Sequence, residues 1–105
     1  MIVVSKYLVP KGYAAMAVFP FVFFKYKKYI NPTRLNHEKI HIRQQIELLI
    51  LPFYIWYGIE FLKNWIKYKD KKKAYYNISF EVEAYKNETN LNYLKTRKRY
   101  SFLNN

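Results

Sequence analysis

The chain has 105 residues, of which 51% are apolar and none is cysteine. That length supports one hydrophobic core and one domain, residues 1–105, and the composition excludes a disulfide scaffold, a cysteine-based metal cluster and a thiol nucleophile. With 19 Lys and Arg against 7 Asp and Glu the formal net charge is +12, which favours nucleic acid, anionic lipid or an acidic partner and makes the placement of the charge more informative than its total.

The N-terminus lacks the basic, apolar and small-residue order of a secretory signal, so the chain is expected to begin near Met1 and to be cytoplasmic. The stretches "IVVSKYLV" and "AVFPFVFFKY" are rich in β-branched and aromatic residues and flank the turn signal "PKGY". They predict two pairing strands, a β-hairpin. Pro20 cannot donate to a ladder, which makes the second strand, Val18 to Tyr26, the expected open edge for an extended peptide.

Asn31 and Pro32 form an N-cap and first helical position, and predict a helix from about Pro32 to Leu51. On its wheel Leu35, Ile42, Ile46, Leu49 and Phe53 make an apolar stripe, with His37, His41, Gln44 and Leu48 beside it. Pro52 kinks this helix or opens a second one, "PFYIWYGIEFLKNWIKY". The apolar run from Leu48 to Ile59 has 12 residues, short of the ~18–20 that span a bilayer. "KDKKK" reads as a solvated loop, and "YNISFEVEAYKNETNLNYLKTRKRY" as a third helix with Ile78, Val82, Tyr85 and Phe80, Ala84, Leu91 inward. Residues 95–105 read as a basic tail. The predicted class is therefore α+β, an N-terminal β-hairpin and edge strand followed by about three helices.

His37, Glu38 and His41 match H-E-x-x-H, and they use both histidines of the chain. At i and i+4 on a helix two imidazoles point the same way and can grip one ion, with the glutamate beside them as a proton acceptor. A third protein ligand must then be a carboxylate. Glu47 stands where the metzincin pattern places its third ligand, but Gln44 replaces the Gly that pattern needs, and on a continuous helix Glu47 points away.

Downstream, "NISFEVEAY" resembles the E-x-x-A-D segment of gluzincin metallopeptidases. HExxH followed, after a hydrophobic helical stretch, by this segment is similar to the prenyl-protein-processing and HtpX-like peptidases reduced to a single-domain minigluzincin. The resemblance covers roughly Asn36 to Glu88 and implies a small zincin-like fold with an active-site helix and a glutamate helix. It also implies Glu81 as third zinc ligand with Ala84 beneath it, while Glu83 faces nearly the opposite side. Tyr85 replaces the family's Asp, so Tyr85 or Glu88 is expected to orient a zinc-bound histidine. The implied activity is hydrolysis of peptide or protein substrates by Zn²⁺ held on His37, His41 and Glu81, with Glu38 as general base for the water that the ion activates.

Other readings attach to the same residues. One alternative is a catalytically idle protein whose zinc only clamps helices, and the basic tail "KTRKRYSFLNN" is a candidate latch across the cleft that keeps an enzyme latent. The +12 surface suggests peripheral contact with anionic membrane. The basic-aromatic runs "KYKDKKKAYY" and "KTRKRYSF" suit phosphates and stacked bases, but no nucleic-acid module accompanies them, so nucleic acid is not the expected partner.

Overall fold

The aromatic run that begins at Ala15 folds back on itself instead of forming one strand. In the computed structural model, which describes residues 1–104, strand β2 (Ala15–Val18) turns through Phe19–Pro20 into strand β3 (Phe21–Phe24), its antiparallel partner. Strand β1 (Ile2–Val4) pairs parallel with the other side of β3, giving the order β1-β3-β2. The predicted hairpin is thus replaced by one inside its second strand. Pro20 breaks that run at a corner, and the "PKGY" turn, with Gly12 at φ +92°, lies on the path from one edge of the sheet to the other. The segment Val18 to Tyr26 is not the open edge either, because β3 is paired on both sides; the edge strands are β1 and β2.

Helix α1 spans Pro32–Glu47, and Asn31 caps it by accepting from the Arg34 N–H at 2.8 Å. It stops short of Leu51 because Leu49 takes a left-handed conformation, φ 57°, and helix α2 (Ile50–Tyr68) leaves at 111°. Pro52 does not cause this break: it sits in the first turn of α2, where a backbone N–H has no intrahelical acceptor to lose. Asp70 accepts from the Lys72 and Lys73 N–H groups and starts helix α3 (Lys71–Tyr76), so "KDKKK" is largely helical rather than loop. The expected single third helix is instead α4 (Ser79–Asn87) and α5 (Tyr93–Thr96). Among the described residues the fold is α+β, a three-stranded sheet with five helices.

Phe53, Ile78, Phe80 and Phe102 make the central cluster. Ile78, Phe80 and Ala84 are inward as their spacing predicts, whereas Tyr85 and Leu91 are exposed. Phe102 belongs to the expected loose tail but is 1% exposed, its ring 4.6 Å from that of Phe80. The tail is therefore part of the core as far as it is described; Asn105 lies outside the described residues. The α1 stripe is also corrected. Ile46 and Leu49 face out, and the buried side of α1 is Asn36, His37, Glu38, Ile40, His41, Gln44 and Gln45. The bend at Leu49 interrupts the wheel, and the sheet and α4 pack on the polar side. No single described helix is long and apolar enough to cross a membrane.

Candidate metal centre

A helix can bury so many polar side chains only if each finds a partner. Asn36 Nδ2 donates to the carbonyls of Asn87, Glu88 and Asn90, tying the start of α1 to the end of α4. Gln45 clasps β2, donating to Ala17 O at 2.8 Å and accepting from Phe19 N–H at 2.7 Å. Between these two anchors the remaining polar face of α1 is held against α4.

There His37, His41 and Glu81 converge, all three buried. Glu81 Oε1 lies 3.0 Å from His41 Nε2 and 3.2 Å from His37 Nε2, and the two Nε2 atoms are 3.2 Å apart. Gln44 decides what these atoms are. Its Nε2 donates to Phe80 O and Glu83 Oε1 at 3.2 and 2.9 Å, so its Oε1, 2.8 Å from His41 Nδ1, must accept. The His41 proton is thereby drawn to Nδ1, and the neutral ring presents a lone pair from Nε2 to its neighbours. Atoms this close around the Glu81 carboxylate need positive charge among them, either protons on the imidazoles or an ion in their place. Ligands about 2.0–2.1 Å from a tetrahedral ion stand about 3.3 Å apart, close to this triangle. The donor set therefore fits a metal ion.

The electrostatics express the same demand. Burial alone would lower the His41 pKa, but the charge and hydrogen bond of Glu81, with Glu38 and Gln44 assisting, raise it to about 9. Burial would raise Glu81, yet His41, His37 and Tyr57 hold it well below the usual carboxylate range. Tyr57 on α2 donates to Glu81 Oε2 at 2.7 Å, which leaves Oε1 for the triangle.

Glu38 stands apart from this group. None of the described residues donates a hydrogen bond to its carboxylate, burial raises its pKa, and it lines the cleft with Tyr13, Ala15 and Tyr75. The cleft is walled by the Pro10–Ala15 segment, β2, α1, α2, α3 and the α4 side chains Glu81 and Tyr85, and no described residue of the 95–105 segment lines it. A latch formed by that segment is not what the cleft contains.

Of the two residues expected to orient a histidine, Glu88 brings Oε2 to 3.5 Å from His37 Nδ1, too long for a good hydrogen bond, and this buried nitrogen has no other partner among the described residues. Tyr85 packs its ring edgewise on His37, centroids 4.3 Å apart, and its hydroxyl pairs with Tyr75 instead. Glu83 is on the far side of α4, as its spacing implies, bound by Arg97, Tyr93 and Gln44. Glu47 points to the same Arg97, at 2.6 Å from Nη1, and not to the histidines. Gln44 and Tyr57 were not predicted as part of the centre. Gln44 shares the His37–His41 stripe, which was the available signal, whereas nothing distinguishes Tyr57 among 12 tyrosines.

Comparison with protein-family models, curated proteins and solved structures finds no match to this chain.

Proposed function

We propose that this protein is a zinc-dependent metallopeptidase of the gluzincin type. The observation that carries the reading is the buried triangle of His37 Nε2, His41 Nε2 and Glu81 Oε1 beside an unbonded Glu38 that faces the cleft. Two imidazoles and a carboxylate are a set that suits zinc. When bound, zinc would polarise the peptide carbonyl and lower the pKa of water. Glu38 takes a proton from the attacking water as its oxygen bonds to the carbonyl carbon, then delivers it to the amine nitrogen as the C–N bond breaks. Tyr57 and Gln44 keep Glu81 and His41 aimed throughout.

The sheet edge supports a peptide as substrate. Lys25 N–H donates to Ala14 O, so Ala14 and Lys25 are a hydrogen-bonded pair, and such pairs alternate along an antiparallel ladder. Ala15 and Ala17 therefore turn their backbone groups outward. The Ala17 carbonyl is taken by Gln45 and Tyr54, while Ala15 lines the cleft beside Glu38. An extended substrate pairing with the β2 edge at Ala15 would bring its backbone past the general base.

Deep burial of all three ligands also favours a second reading, an ion that only clamps α1 to α4. Glu38→Gln separates the two. The expected result is zinc near one per chain by elemental analysis in wild type and variant, with cleavage of an unfolded protein substrate falling ~10²–10⁴-fold in the variant. Wild-type cleavage by Glu38→Gln would sink the mechanism, and zinc without any cleavage in the wild type would leave the clamp. His41→Ala and Glu81→Ala should both lose the zinc.

A further inference from the structure

Helix α2 is buried at Phe53 alone. Leu51, Ile55, Ile59, Leu62 and Ile66 are 55–78% exposed, and at their spacing they fall on one face of the helix, within about a quarter of its circumference. A continuous aliphatic stripe, rather than hydrophobics scattered singly, marks an interaction site. Its borders are specific. Lys63 and Lys67 run along one flank, Lys69 follows the helix, and Lys71, Lys72 and Lys73 come next with Asp70 the lone acid among them. All of these lysines are exposed. Trp56 and Trp65 flank the stripe, Trp65 with the Lys71 ammonium 4.7 Å from its ring centre.

We propose that the outer face of α2 docks on an anionic lipid bilayer, the stripe entering the headgroup–acyl boundary and the lysines meeting lipid phosphates. The combination of aliphatic face, flanking lysines and interfacial tryptophans is the composition of a helix that lies in that plane. Charge decides between occupants. A second copy seated on the stripe by two-fold symmetry would bring the same lysines of two +12 chains against each other, whereas an anionic surface complements them. The proposal stands independently of peptide hydrolysis.

The test is co-sedimentation of the full chain with vesicles of phosphatidylcholine containing about one-third phosphatidylglycerol, in about 0.1 M NaCl. Wild type should bind these at least roughly tenfold more tightly than pure phosphatidylcholine vesicles. Ile59→Ser/Leu62→Ser should lose roughly tenfold or more, and Lys63→Glu/Lys67→Glu should lose the preference for anionic lipid. These positions are exposed, and unchanged circular dichroism is the check on folding. In the wild type, brominated lipid should quench tryptophan fluorescence, a result that needs no variant. Absence of quenching would overturn the proposal, as would equal binding by Ile59→Ser/Leu62→Ser. A dimer seen by analytical ultracentrifugation and lost in that variant would assign the stripe to a second copy instead.

Discussion

Gln44 ties the chemistry of one histidine to a buried ion pair. Its amide is oriented by two acceptors, Phe80 O and Glu83 Oε1, and this orientation keeps the His41 proton on Nδ1. Partners of this kind typically alter metal affinity by about 10–100-fold. Gln44→Ala is therefore expected to weaken zinc binding by that factor in a chelator competition assay. The same variant leaves His41 Nδ1 and one Glu83 interaction unmet, at a cost of ~1–3 kcal/mol in urea unfolding. A loss of stability with unchanged zinc affinity would reduce Gln44 to a packing role. Tyr57→Phe tests the other end of the centre: Glu81 loses its Oε2 donor, while the half-buried ring is retained.

At the scale of elements, the segment after α5 behaves as a wedge rather than a tail. The Arg97 side chain is fully buried between Glu83 and Glu47, and Phe102 closes the cluster of Phe53, Ile78 and Phe80. Removing one partner of a buried ion pair costs ~3–5 kcal/mol, and Phe→Ala in a core costs a similar ~3–5 kcal/mol. Arg97→Ala and Phe102→Ala should each lower the urea midpoint accordingly. Truncation at Thr96 is expected to unfold the protein, not to activate it, as limited proteolysis would reveal. A smaller and opposite effect belongs to the end of α2, where Lys69 holds φ 57°. Glycine adopts that conformation without a Cβ penalty, so Lys69→Gly should stabilise by ~0.5–1 kcal/mol while Lys69→Ala changes little.

These elements also mark what the sequence discloses. Glu81 is legible only through the resemblance of "NISFEVEAY" to a known glutamate segment, whereas the convergence of His37 and His41 is legible because local helical spacing fixes it. The start of α1 is legible from Asn31 and Pro32 for the same local reason. Pairing of β1 with β3 is not, since a parallel partner across 20 residues leaves no short-range signature. The buried face of α1 misleads a hydrophobic wheel because its burial is paid for by hydrogen bonds from Asn36, Gln44 and Gln45, not by apolar area. Arg97 looks like one more charge in a basic run, and only the positions of Glu47 and Glu83 in space turn it inward.

For the whole molecule, an ion taken up only by the folded triangle of His37, His41 and Glu81 would be linked to stability. A ligand that binds only the folded state at 100 times its Kd stabilises by about 2.7 kcal/mol, which in a domain of this size is on the order of 10–20 °C. Chelation should lower the melting midpoint of the wild type by that order and leave His41→Ala unmoved, as differential scanning calorimetry can record. Equal shifts in both would place the stabilising ion elsewhere.

The wedge also sets an order of events at the ribosome. Arg97 lies 50 residues after Glu47, the end of the helix that it supports. At about 5–20 residues per second, roughly 3–10 s separate the synthesis of that helix from that of its buttress. Glu83 precedes Arg97 by only 14 residues, so for most of this interval Gln44 lacks Glu83 as well as the guanidinium and has no fixed partner through which to aim His41. Nascent chains thus carry the paired histidines without the geometry that makes them a clasp, and an ion drawn to the proposed centre would load only after the wedge has emerged and seated.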